Sequence, residues 1–564
     1  MSKSKHKLLL IFTLFIGTFF TSFTMLKSGL IYDFGLGFWG PNGHDAIWHL
    51  GLITQILESF PPLHPVFSGS LLSNYHWGYN LFTAIISYLL PFSLLDIYFR
   101  ILPITFALFL GIFTYTLGFK LSKNHTTALF FVFLNYFSGS FGWIISLIRY
   151  SQISGESTFW SMQPISTQLN PPFAFSLIIL FSGLIYYLNS QKQKKLKNYF
   201  ILGLIFSLLA GIKIYAGLLV GISISIIFLI KYFQKNKDSK YLLTTIFTQL
   251  VFSTLILIFL RSLNSGSLLE FKPFWFTHSL IESYDKLFLP QIASLRANLA
   301  QNPFSYKLPI LLFIEISLFL LFIVGNLGLR VFSIFIIKKI KSQNNIEIHQ
   351  FILIIILLGI TIPTFFVQKG TAWNTIQFFY YSLFLINYYF AVYLSSQKTI
   401  IALFLLLLTL PTSYSTLKDY FGYPPPSAIY NSELNALKFL KSQPRGNVLT
   451  YPYNKYERNK YKTTPLPIYA YETTSYVAAF SSKPVYLEDE MNLNITGLDW
   501  QTRRINSEKF FNSTDQNFSR GFLINNNILY IYLLTDQNFP LLPSQIQIDL
   551  IYDQDGVLIY KVQR

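Results

Sequence analysis

The amino-acid sequence predicts an all-α polytopic membrane domain of about 11 transmembrane helices, followed by a C-terminal soluble α/β domain. The chain is 52% hydrophobic and 12% charged, whereas ordinary soluble domains carry about 25% charged residues. Apolar runs long enough to cross a bilayer recur as far as residue 415, with short basic segments between them. The composition changes after Pro424 to Ser427, where strand-like runs begin. We therefore place the membrane domain at residues 1–415 and the soluble domain at 416–564.

The first apolar run, Leu8 to Met25, follows three lysines and has the charge pattern of a signal peptide. It lacks a small-residue cleavage site and is long enough to span a membrane, so we interpret it as a retained first helix. The remaining spans are predicted at residues 101–119, 126–146, 171–189, 199–211, 214–230, 241–260, 308–329, 350–367, 375–396 and 399–415.

Residues 26–100 form a long first loop after that helix. Its further apolar stretch, Tyr79 to Leu95, decides on which side of the membrane each later loop lies. Counted as a full span, this stretch puts the basic segment Lys192 to Lys197 outside, against the positive-inside rule. Counted as a helix that dips into the outer leaflet, it removes the conflict, and we adopt that interpretation.

The basic residues then divide unevenly between the two sides. The N-terminus and the predicted cytoplasmic loops carry 18 Lys and Arg residues and two acidic residues, Asp238 and Glu347. Because cytoplasmic loops are enriched in Lys and Arg, the sequence predicts a multi-pass protein of the cell membrane with a cytoplasmic N-terminus. The same count of spans places the C-terminal domain outside the cytoplasm.

Charge and cysteine content exclude several functions. Of the net charge of +18, +17 belongs to residues 1–415, where it sits in short loops. No basic groove interleaved with exposed aromatic residues is evident, which argues against a nucleic-acid partner. The chain contains no cysteine, which excludes disulfides, thiolate nucleophiles and Cys-ligated zinc.

The densest group of ionisable residues lies in the first loop, at residues 43–49. On a helix, Asp45 and His49 share a face, because a spacing of four residues closes one turn. A carboxylate at the mouth of a low-dielectric cavity suits a general base toward a hydroxyl or an amine, so Asp45 is the candidate catalytic residue. Asp45 and His49 could instead bind a divalent metal such as Mg²⁺ or Mn²⁺, and a solvated helix with ordinary polar residues also explains the pattern. Four of the eight histidines lie in this loop: His44, His49, His64 and His76.

Two further candidates lie at predicted ends of spans. Arg100 opens a span, where it could hold a phosphate through forked hydrogen bonds or extend to lipid headgroups. Lys213 lies between two short spans, and short helices are tolerated where their backbone lines a cavity. An ionisable residue at that depth is costly, so we predict a cavity in the outer leaflet near Lys213.

A later outer segment, residues 369–377, brings a cation, an indole and two amides together. Trp373, Asn374 and Gln377 could contact a sugar by stacking and hydrogen bonding, with Lys369 beside them. An interfacial aromatic belt explains Trp373 as well. The residues predicted to support the site are His44, His49, His76 and, in the second loop (residues 138–170), Glu156.

The soluble domain is predicted from a helix and a series of strand-like runs. The helix covers Glu433 to Lys441, the runs cover Asn447 to Thr450, Val485 to Leu487 and Ile528 to Leu534, and a hairpin, Ile546 to Lys561, turns at Asp555-Gly556. The segment Glu488-Asp489-Glu490 is interpreted as a solvated acidic turn.

These features together resemble the GT-C superfamily of membrane glycosyltransferases, which includes protein O-mannosyltransferases, lipid A aminoarabinose transferases and oligosaccharyltransferases. The resembling features are the first-loop acid Asp45, an Arg-x-x-Pro that starts with Arg100, the second-loop acid Glu156, a short helix pair around Lys213, and a soluble domain after the last span. The chain also resembles uncharacterised multi-pass proteins of bacteria with small genomes, in segments such as Gly-His-Asp and Tyr-Leu-Glu-Asp-Glu.

The resemblance implies a donor sugar carried on a polyprenyl phosphate, with membrane lipids as partners and a glycan, lipid or protein as acceptor. It implies that Asp45 activates the acceptor or holds a metal, and that Arg100 and Lys213 lie near the donor phosphate. Two departures qualify it. Asp45 lacks the acidic neighbour common in the mannosyltransferases, and the Trp-Trp-Asp signature of oligosaccharyltransferases is missing, which argues against transfer of oligosaccharide to asparagine.

The leading hypothesis is a transferase that moves one sugar from a polyprenyl-linked donor to an extracytoplasmic acceptor, by inverting displacement at the anomeric carbon. A non-enzymatic carrier or flippase for lipid-linked sugars or polysaccharide is the alternative, but such proteins usually contain internal repeats and a polar path across several spans, which the sequence lacks. A polymerase or ligase of surface polysaccharide would use arginine-rich outer loops. The predicted outer loops contain few arginines: Arg100, Arg149, Arg261 and Arg296.

Overall fold

The computed structural model describes residues 3–262, 269–338, 345–537 and 539–563. The chain folds as two compact units. The helical unit consists of Met1–Thr24, Pro103–Leu257 and Gly266–Phe421, and the α/β unit consists of Met25–Leu102, Ile258–Ser265 and Gly422–Arg564. The structure thus differs from the boundary predicted at residue 416, because the first loop and the C-terminal segment belong to the same unit.

The described residues are mainly helical. Helices of eight residues or more cover Lys3–Leu26, Asp45–Glu58, Gly78–Leu89, Leu102–Ser122, His125–Phe137, Gly142–Tyr150, Pro171–Lys192, Leu196–Ile212, Ile214–Phe233, Ser239–Phe259, Trp275–Glu282, Pro290–Ala300, Leu308–Leu327, Ile346–Phe365, Gln377–Ser395, Thr399–Leu408, Pro411–Phe421, Asn431–Ser442, Trp500–Asn512 and Gln516–Asn525.

The polytopic membrane architecture is confirmed, and the number of spans is refined. Within the described residues, seven helices are long and apolar enough to cross a membrane, or up to nine if each of two bent helix pairs forms one span. The two other predicted spans are also helices. Leu196–Ile212 has only 17 residues, and Gln377–Ser395 is rich in tyrosine and almost wholly buried by its neighbours.

The apolar stretch of the first loop forms the helix Gly78–Leu89. Twelve residues at about 1.5 Å each give a length of about 18 Å, well short of the roughly 30 Å hydrocarbon core. Its first turns bury Tyr79, Asn80 and Thr83, whereas Leu89 near its end is exposed. A helix of this length is too short to cross the membrane by itself, and the dip into the outer leaflet stays a prediction.

Glycines allow close contact between helices of the helical unit. A Cβ atom on Gly17 would lie 2.0 Å from the ring of Tyr136, and one on Gly111 would lie 2.0 Å from its hydroxyl oxygen. That hydroxyl donates a hydrogen bond to the carbonyl oxygen of Ala107 at 2.7 Å. Small residues at such crossings let helix backbones approach, which is how helices associate where burial of apolar surface gives no advantage over lipid.

The described residues contain ten short or medium strands, numbered here in chain order. They are β1 (Leu30–Tyr32), β2 (Gly35–Phe38), β3 (Leu269–Phe271), β4 (Phe366–Gln368), β5 (Ser427–Tyr430), β6 (Asn447–Thr450), β7 (Leu466–Pro467), β8 (Ile528–Leu534), β9 (Ile548–Gln554) and β10 (Val557–Val562).

Two sheets organise the α/β unit. One has the order β1-β2-β5-β7, so the first-loop hairpin pairs with a C-terminal strand, in the register Phe38 opposite Ser427. This pairing is the physical reason that the first loop belongs to the α/β unit. The other sheet has the order β6-β8-β10-β9, in which β6 and β8 are parallel.

Most predicted elements of the soluble domain are confirmed. The strands β6 and β8 have the predicted bounds, and the hairpin turns at Asp555 and Gly556, both with positive φ as a tight hairpin turn requires. The predicted strand Val485 to Leu487 instead makes a single parallel bridge, Val448 with Val485. The acidic residues Glu488, Asp489 and Glu490 follow directly, and each has its own hydrogen-bond or ion-pair partner, as described below.

Glu433 is a buried acid in the first turn of the helix Asn431–Ser442. The hydroxyls of Tyr476 and Tyr532 donate hydrogen bonds to its Oε1 at 3.0 and 3.2 Å. Burial raises the pKa of Glu433 to about 7, although both hydroxyl groups act to lower it. The folded α/β unit therefore binds a proton at Glu433 more tightly than the unfolded chain does.

We predict that Glu433→Gln changes the pH dependence of stability. Because the pKa of Glu433 is raised on folding, its contribution is most favourable below about pH 4.3 and is lost as the pH rises to about 7, by roughly 3 kcal/mol. The variant cannot ionise at this position. Thermal unfolding followed by tyrosine fluorescence should therefore show that the melting temperature of the variant, relative to that of the wild type, rises between pH 5 and pH 8. Parallel stability profiles for the two proteins would contradict this assignment.

Candidate active site

Asp45 and His44 lie at the start of a helix in the first loop. A short turn, Gly40–Gly43, ends at His44, and the helix Asp45–Glu58 begins with the Asp45 carboxylate in its first turn, where the helix dipole favours a negative charge. The His44 Nδ1 atom lies 2.7 Å from Asp45 Oδ1. Of the two side chains, His44 is 10% exposed and Asp45 is 58% exposed.

The other ring nitrogen of His44 contacts Asp489, in the C-terminal part of the same unit. His44 Nε2 lies 3.2 Å from Asp489 Oδ1. Asp489 is buried and has a left-handed backbone with a φ of 48°, and it caps the helix Glu490–Thr496. Its carboxylate also accepts hydrogen bonds from the backbone N–H and side-chain amide of Asn492.

The interpretation of Glu488-Asp489-Glu490 as a solvated turn is therefore wrong. Glu488 accepts hydrogen bonds from the backbone N–H groups of Val477 and Ala478, both at 3.2 Å. Glu490 forms an ion pair with Arg504. Each of the three carboxylates is therefore held by a specific protein partner instead of being solvated.

The two carboxylates favour the positively charged form of the imidazole between them. Burial lowers the pKa of His44, but the Asp489 charge and the hydrogen bonds to Asp45 and Asp489 outweigh it, so the pKa lies well above its usual 6.5. A buried imidazolium thus fixes the position of the exposed Asp45 carboxylate, and Asp489 fixes the imidazolium in turn. The arrangement follows the general rule that a reactive group is held by a partner that is itself oriented by a third group.

His49 and His76 have other environments. His49 is buried, and its Nδ1 atom accepts a hydrogen bond from Asn80 at 3.0 Å. The ring of His76 stacks on Tyr75 with a centroid distance of 4.9 Å. The described residues contain no group of three His, Asp or Glu side chains placed to hold a metal ion. Within that part of the chain, the predicted metal pair Asp45 and His49 is thus not joined by a third such side chain.

Arg100 lies in the α/β unit, in a wide helical turn, Ile97–Ile101. Its Nη1 atom donates a hydrogen bond to the carbonyl oxygen of Leu95 at 3.0 Å, and its Nε atom lies 3.7 Å from an Asp96 carboxylate oxygen. The Nη2 atom is buried and has no hydrogen-bond partner among the residues that the structure describes. The side chain is thus partly committed to its own turn through Nη1 and Nε.

The helical unit brings Lys213 close to Asn170. Lys213 has an extended backbone between the helices Leu196–Ile212 and Ile214–Phe233, and its Nζ atom lies 3.4 Å from Asn170 Oδ1. The same ammonium lies 5.4 Å from the centre of the Tyr215 ring. Lys213 is 6% exposed, so this charge is almost fully withdrawn from the surface.

Asn170 joins Lys213 to two other predicted residues. Its Nδ2 atom donates to Gln377 Oε1 at 3.2 Å, and Gln377 Nε2 donates to Asn374 Oδ1 at 3.4 Å. The lysine and three amides thus form one hydrogen-bonded row. Asn170 also caps the helix Pro171–Lys192 through its bond from Phe173 N–H, so the row is anchored to a helix end.

The remaining predicted residues of this unit differ in accessibility. Lys369 and Trp373 are exposed, the latter by 45%. The Glu156 carboxylate accepts hydrogen bonds from Gln163 N–H, Ser166 Oγ and Thr416 Oγ1. Burial raises the pKa of Glu156 despite these donors. Glu156 therefore ties the second loop to the helix Pro411–Phe421.

Sequence reasoning missed Asp489 and gave Asn170 no role. A Pro-Pro pair after Asn170 is a recognisable helix start, which could have marked its side chain as a cap. Nothing local to Asp489 indicates that it meets His44, because the two residues are 445 positions apart.

No family model matches this sequence, and no curated protein sequence matches it significantly. Among solved structures, the chain is similar to the oligosaccharyltransferase of Archaeoglobus fulgidus. The crystal structure of that enzyme tethered to an acceptor peptide with an NVT sequon has a TM-score of 0.53 at 11% identity, over 100% of this chain and 74% of that chain. The structure of the Archaeoglobus fulgidus enzyme AglB with an inhibitory peptide and a dolichol-phosphate has a TM-score of 0.51 at 11% identity, over 100% and 75%.

A third structure, the same enzyme in complex with Zn and sulfate, has a TM-score of 0.51 at 11% identity, over 93% of this chain and 68% of that chain. Similarity at this level of identity concerns the fold. The chain therefore shares the fold of the Archaeoglobus fulgidus oligosaccharyltransferase.

We predict that Asp489→Asn lowers the pKa of His44, because the largest cause that raises this pKa is the Asp489 charge. Histidine-selective NMR titration of the purified protein should show the shift. Asp33→Asn is the matched control, since Asp33 is an exposed acid of the same loop. An unchanged pKa of His44 in Asp489→Asn would mean that the contact does not exist in solution.

Proposed function

We propose that this protein is a membrane glycosyltransferase that moves one sugar from a polyprenyl-phosphate-linked donor to an extracytoplasmic acceptor. The observation that carries the proposal is the exposed Asp45 carboxylate, held by buried His44 and Asp489. This arrangement suits a general base, because the carboxylate stays accessible to a substrate while its orientation is fixed. The fold supports the donor class, since a neighbour with this fold was solved with a dolichol-phosphate.

In this proposal Asp45 acts as general base. Its carboxylate removes the proton of an acceptor hydroxyl as the hydroxyl oxygen attacks the anomeric carbon of the donor sugar. The bond from that carbon to the phosphate oxygen breaks, the configuration inverts, and polyprenyl phosphate leaves with the additional negative charge. The proton remains on Asp45 until it passes to solvent, for which the exposure of this side chain is suitable.

Lys213 is proposed to bind the donor phosphate. Its ammonium group is buried, so its attraction to an anion is less screened than it would be at the surface. The neighbouring amides of Asn170, Gln377 and Asn374 can hold sugar hydroxyls, because each provides both donors and acceptors. Lys369, Trp373 and Arg100 are proposed to contribute further contacts with the lipid-linked donor, Arg100 through its buried Nη2 atom.

The distribution of basic loops supports a cytoplasmic N-terminus and an extracytoplasmic C-terminal domain in the cell membrane. The alternative function is a non-enzymatic carrier or flippase of lipid-linked sugars. A carrier would translocate labelled lipid across vesicles without consuming the donor, whereas the proposed enzyme releases polyprenyl phosphate.

We expect Asp45→Asn to reduce transfer by about 10²–10⁴-fold, the usual contribution of a positioned general base. Release of polyprenyl phosphate from a radiolabelled donor in proteoliposomes measures the effect. Asp33→Asn should retain wild-type turnover. If Asp45→Asn also turns over normally, Asp45 is not the base.

We expect Lys213→Met to raise the KM for the donor and to lower kcat, with about a tenfold or greater loss in kcat/KM, because a buried charge-assisted contact to phosphate is removed. Lys307→Met is the matched control. Lys307 also lies over a tyrosine ring at the start of an apolar helix, 5.5 Å from Tyr306, but it is exposed. Equal kinetics for the two variants would remove Lys213 from the donor site.

A further inference from the structure

Two adjoining cavities lie in the α/β unit, at the carboxyl ends of the parallel strands β6 and β8. The outer cavity has a volume of about 270 Å³, and the inner one about 50 Å³. They share three aromatic residues and an amide: Tyr451, Tyr453, Tyr469 and Gln537. We call the two together the tyrosine cleft. Ligands of α/β proteins commonly bind beyond the carboxyl ends of parallel strands, where the connecting loops separate.

The outer cavity has the chemistry of a carbohydrate site. Tyrosine rings provide flat apolar faces, on which the C–H face of a sugar ring can pack. Around them stand groups that bond hydroxyls: Asn454, Glu457, Asp536 and Gln537. Ligand pockets have volumes of about 300 Å³ or more, and this cavity is close to that limit. It suits one sugar unit of a saccharide whose adjoining units remain in solvent.

The charge of the cleft favours a neutral ligand over an anion. Glu457 and Asp536 lie in the outer cavity, and Lys460 is 2.6 Å from Glu457 and 3.6 Å from Asp536. The inner cavity adds Glu472, Glu488 and Asp489. An anionic sugar or a phosphate would meet an excess of negative charge.

One residue that lines the inner cavity, Thr474, has a buried hydroxyl without a partner among the described residues. Thr474 lines this cavity and is 5% exposed. Its Oγ1 atom is buried and has no hydrogen-bond partner in the described protein. An unpaired buried hydroxyl is costly, and a ligand that brings a hydroxyl group removes the cost.

The inner cavity also reaches the proposed catalytic residues. Asp489 lines it and contacts His44, which in turn contacts Asp45. From these contacts we infer that the tyrosine cleft binds the acceptor of the proposed transferase, and that this acceptor is a neutral saccharide. The role of this saccharide as an acceptor rests on the proposed function. The binding of a saccharide in the cleft does not depend on it.

Direct binding tests the inference without any transfer reaction. The full-length protein is placed in lipid nanodiscs free of sugar detergents, and saturation-transfer NMR is recorded with maltose, cellobiose and diacetylchitobiose. Digalacturonic acid serves as the anionic probe, and a Ser-containing peptide as the protein-type probe. At least one neutral disaccharide is expected to bind, and the anionic and peptide probes are expected to bind at least tenfold more weakly.

Variants locate the site. Tyr453→Ala should weaken the neutral disaccharide about tenfold, whereas Tyr453→Phe keeps the ring and should bind normally. Tyr456→Ala is the matched control, because Tyr456 is 66% exposed and does not line the cleft. If Tyr453→Ala unfolds, Asp536→Asn tests the same cavity from an exposed position.

Absence of disaccharide binding, binding that Tyr453→Ala and Asp536→Asn leave unchanged, or preferred binding of the peptide would each overturn the inference. Failure of the proposed function has a different signature. In that case the disaccharide still binds in the cleft, but wild-type protein releases no polyprenyl phosphate from any donor.

Discussion

Removing a charged side chain from water is costly, and this constraint decides where the chain can place its ionisable groups. Lys231 is paired with Glu347, which also accepts a hydrogen bond from Tyr187. Glu315, within an apolar helix, contacts both His278 and Arg296. The candidate active site follows the same principle with an imidazolium between two carboxylates. Its distinguishing feature is that one of the two, Asp45, remains open to solvent.

That asymmetry connects fold and chemistry. A fully buried carboxylate could not exchange its proton, and a fully solvated one would have no fixed direction. The three tyrosines and the amides of the tyrosine cleft lie in the same unit as Asp45. Asp489 lines this cleft and also contacts His44, the neighbour of Asp45. The proposed donor contacts are the buried Lys213 with its row of amides in the helical unit, and Arg100 in the α/β unit.

The sequence predicted the helices well because each is a local pattern. Apolar periodicity marks Ile214–Phe233 or Ile346–Phe365 without knowledge of any partner, and the Asp-Gly turn marks the hairpin of β9 and β10. The candidate base was also identifiable, since Asp45 starts a helix beside two histidines. Lys213, Asn374 and Gln377 were each predicted, but their linkage through Asn170 depends on the packing of separate helices.

What the sequence could not reveal is long-range pairing. Glu488, Asp489 and Glu490 look solvated when read alone, because their partners at Val477, His44 and Arg504 follow from tertiary structure. The same reason explains the shifted unit boundary. Nothing in residues 30–38 indicates that their hairpin pairs with β5, since strands of three or four residues carry little pattern of their own.

The pairing of β2 with β5 also has a consequence for the order of events during synthesis. Phe38 and Ser427 are 389 positions apart, so at about 5–20 residues per second the first hairpin emerges tens of seconds before its partner strand. Throughout that interval Asp45 has neither its sheet nor Asp489. A ribosome that stalls within the apolar helices leaves a nascent chain in which Asp45 is exposed but unoriented, so the contacts of Asp45, His44 and Asp489 are completed only in the last stage of biogenesis.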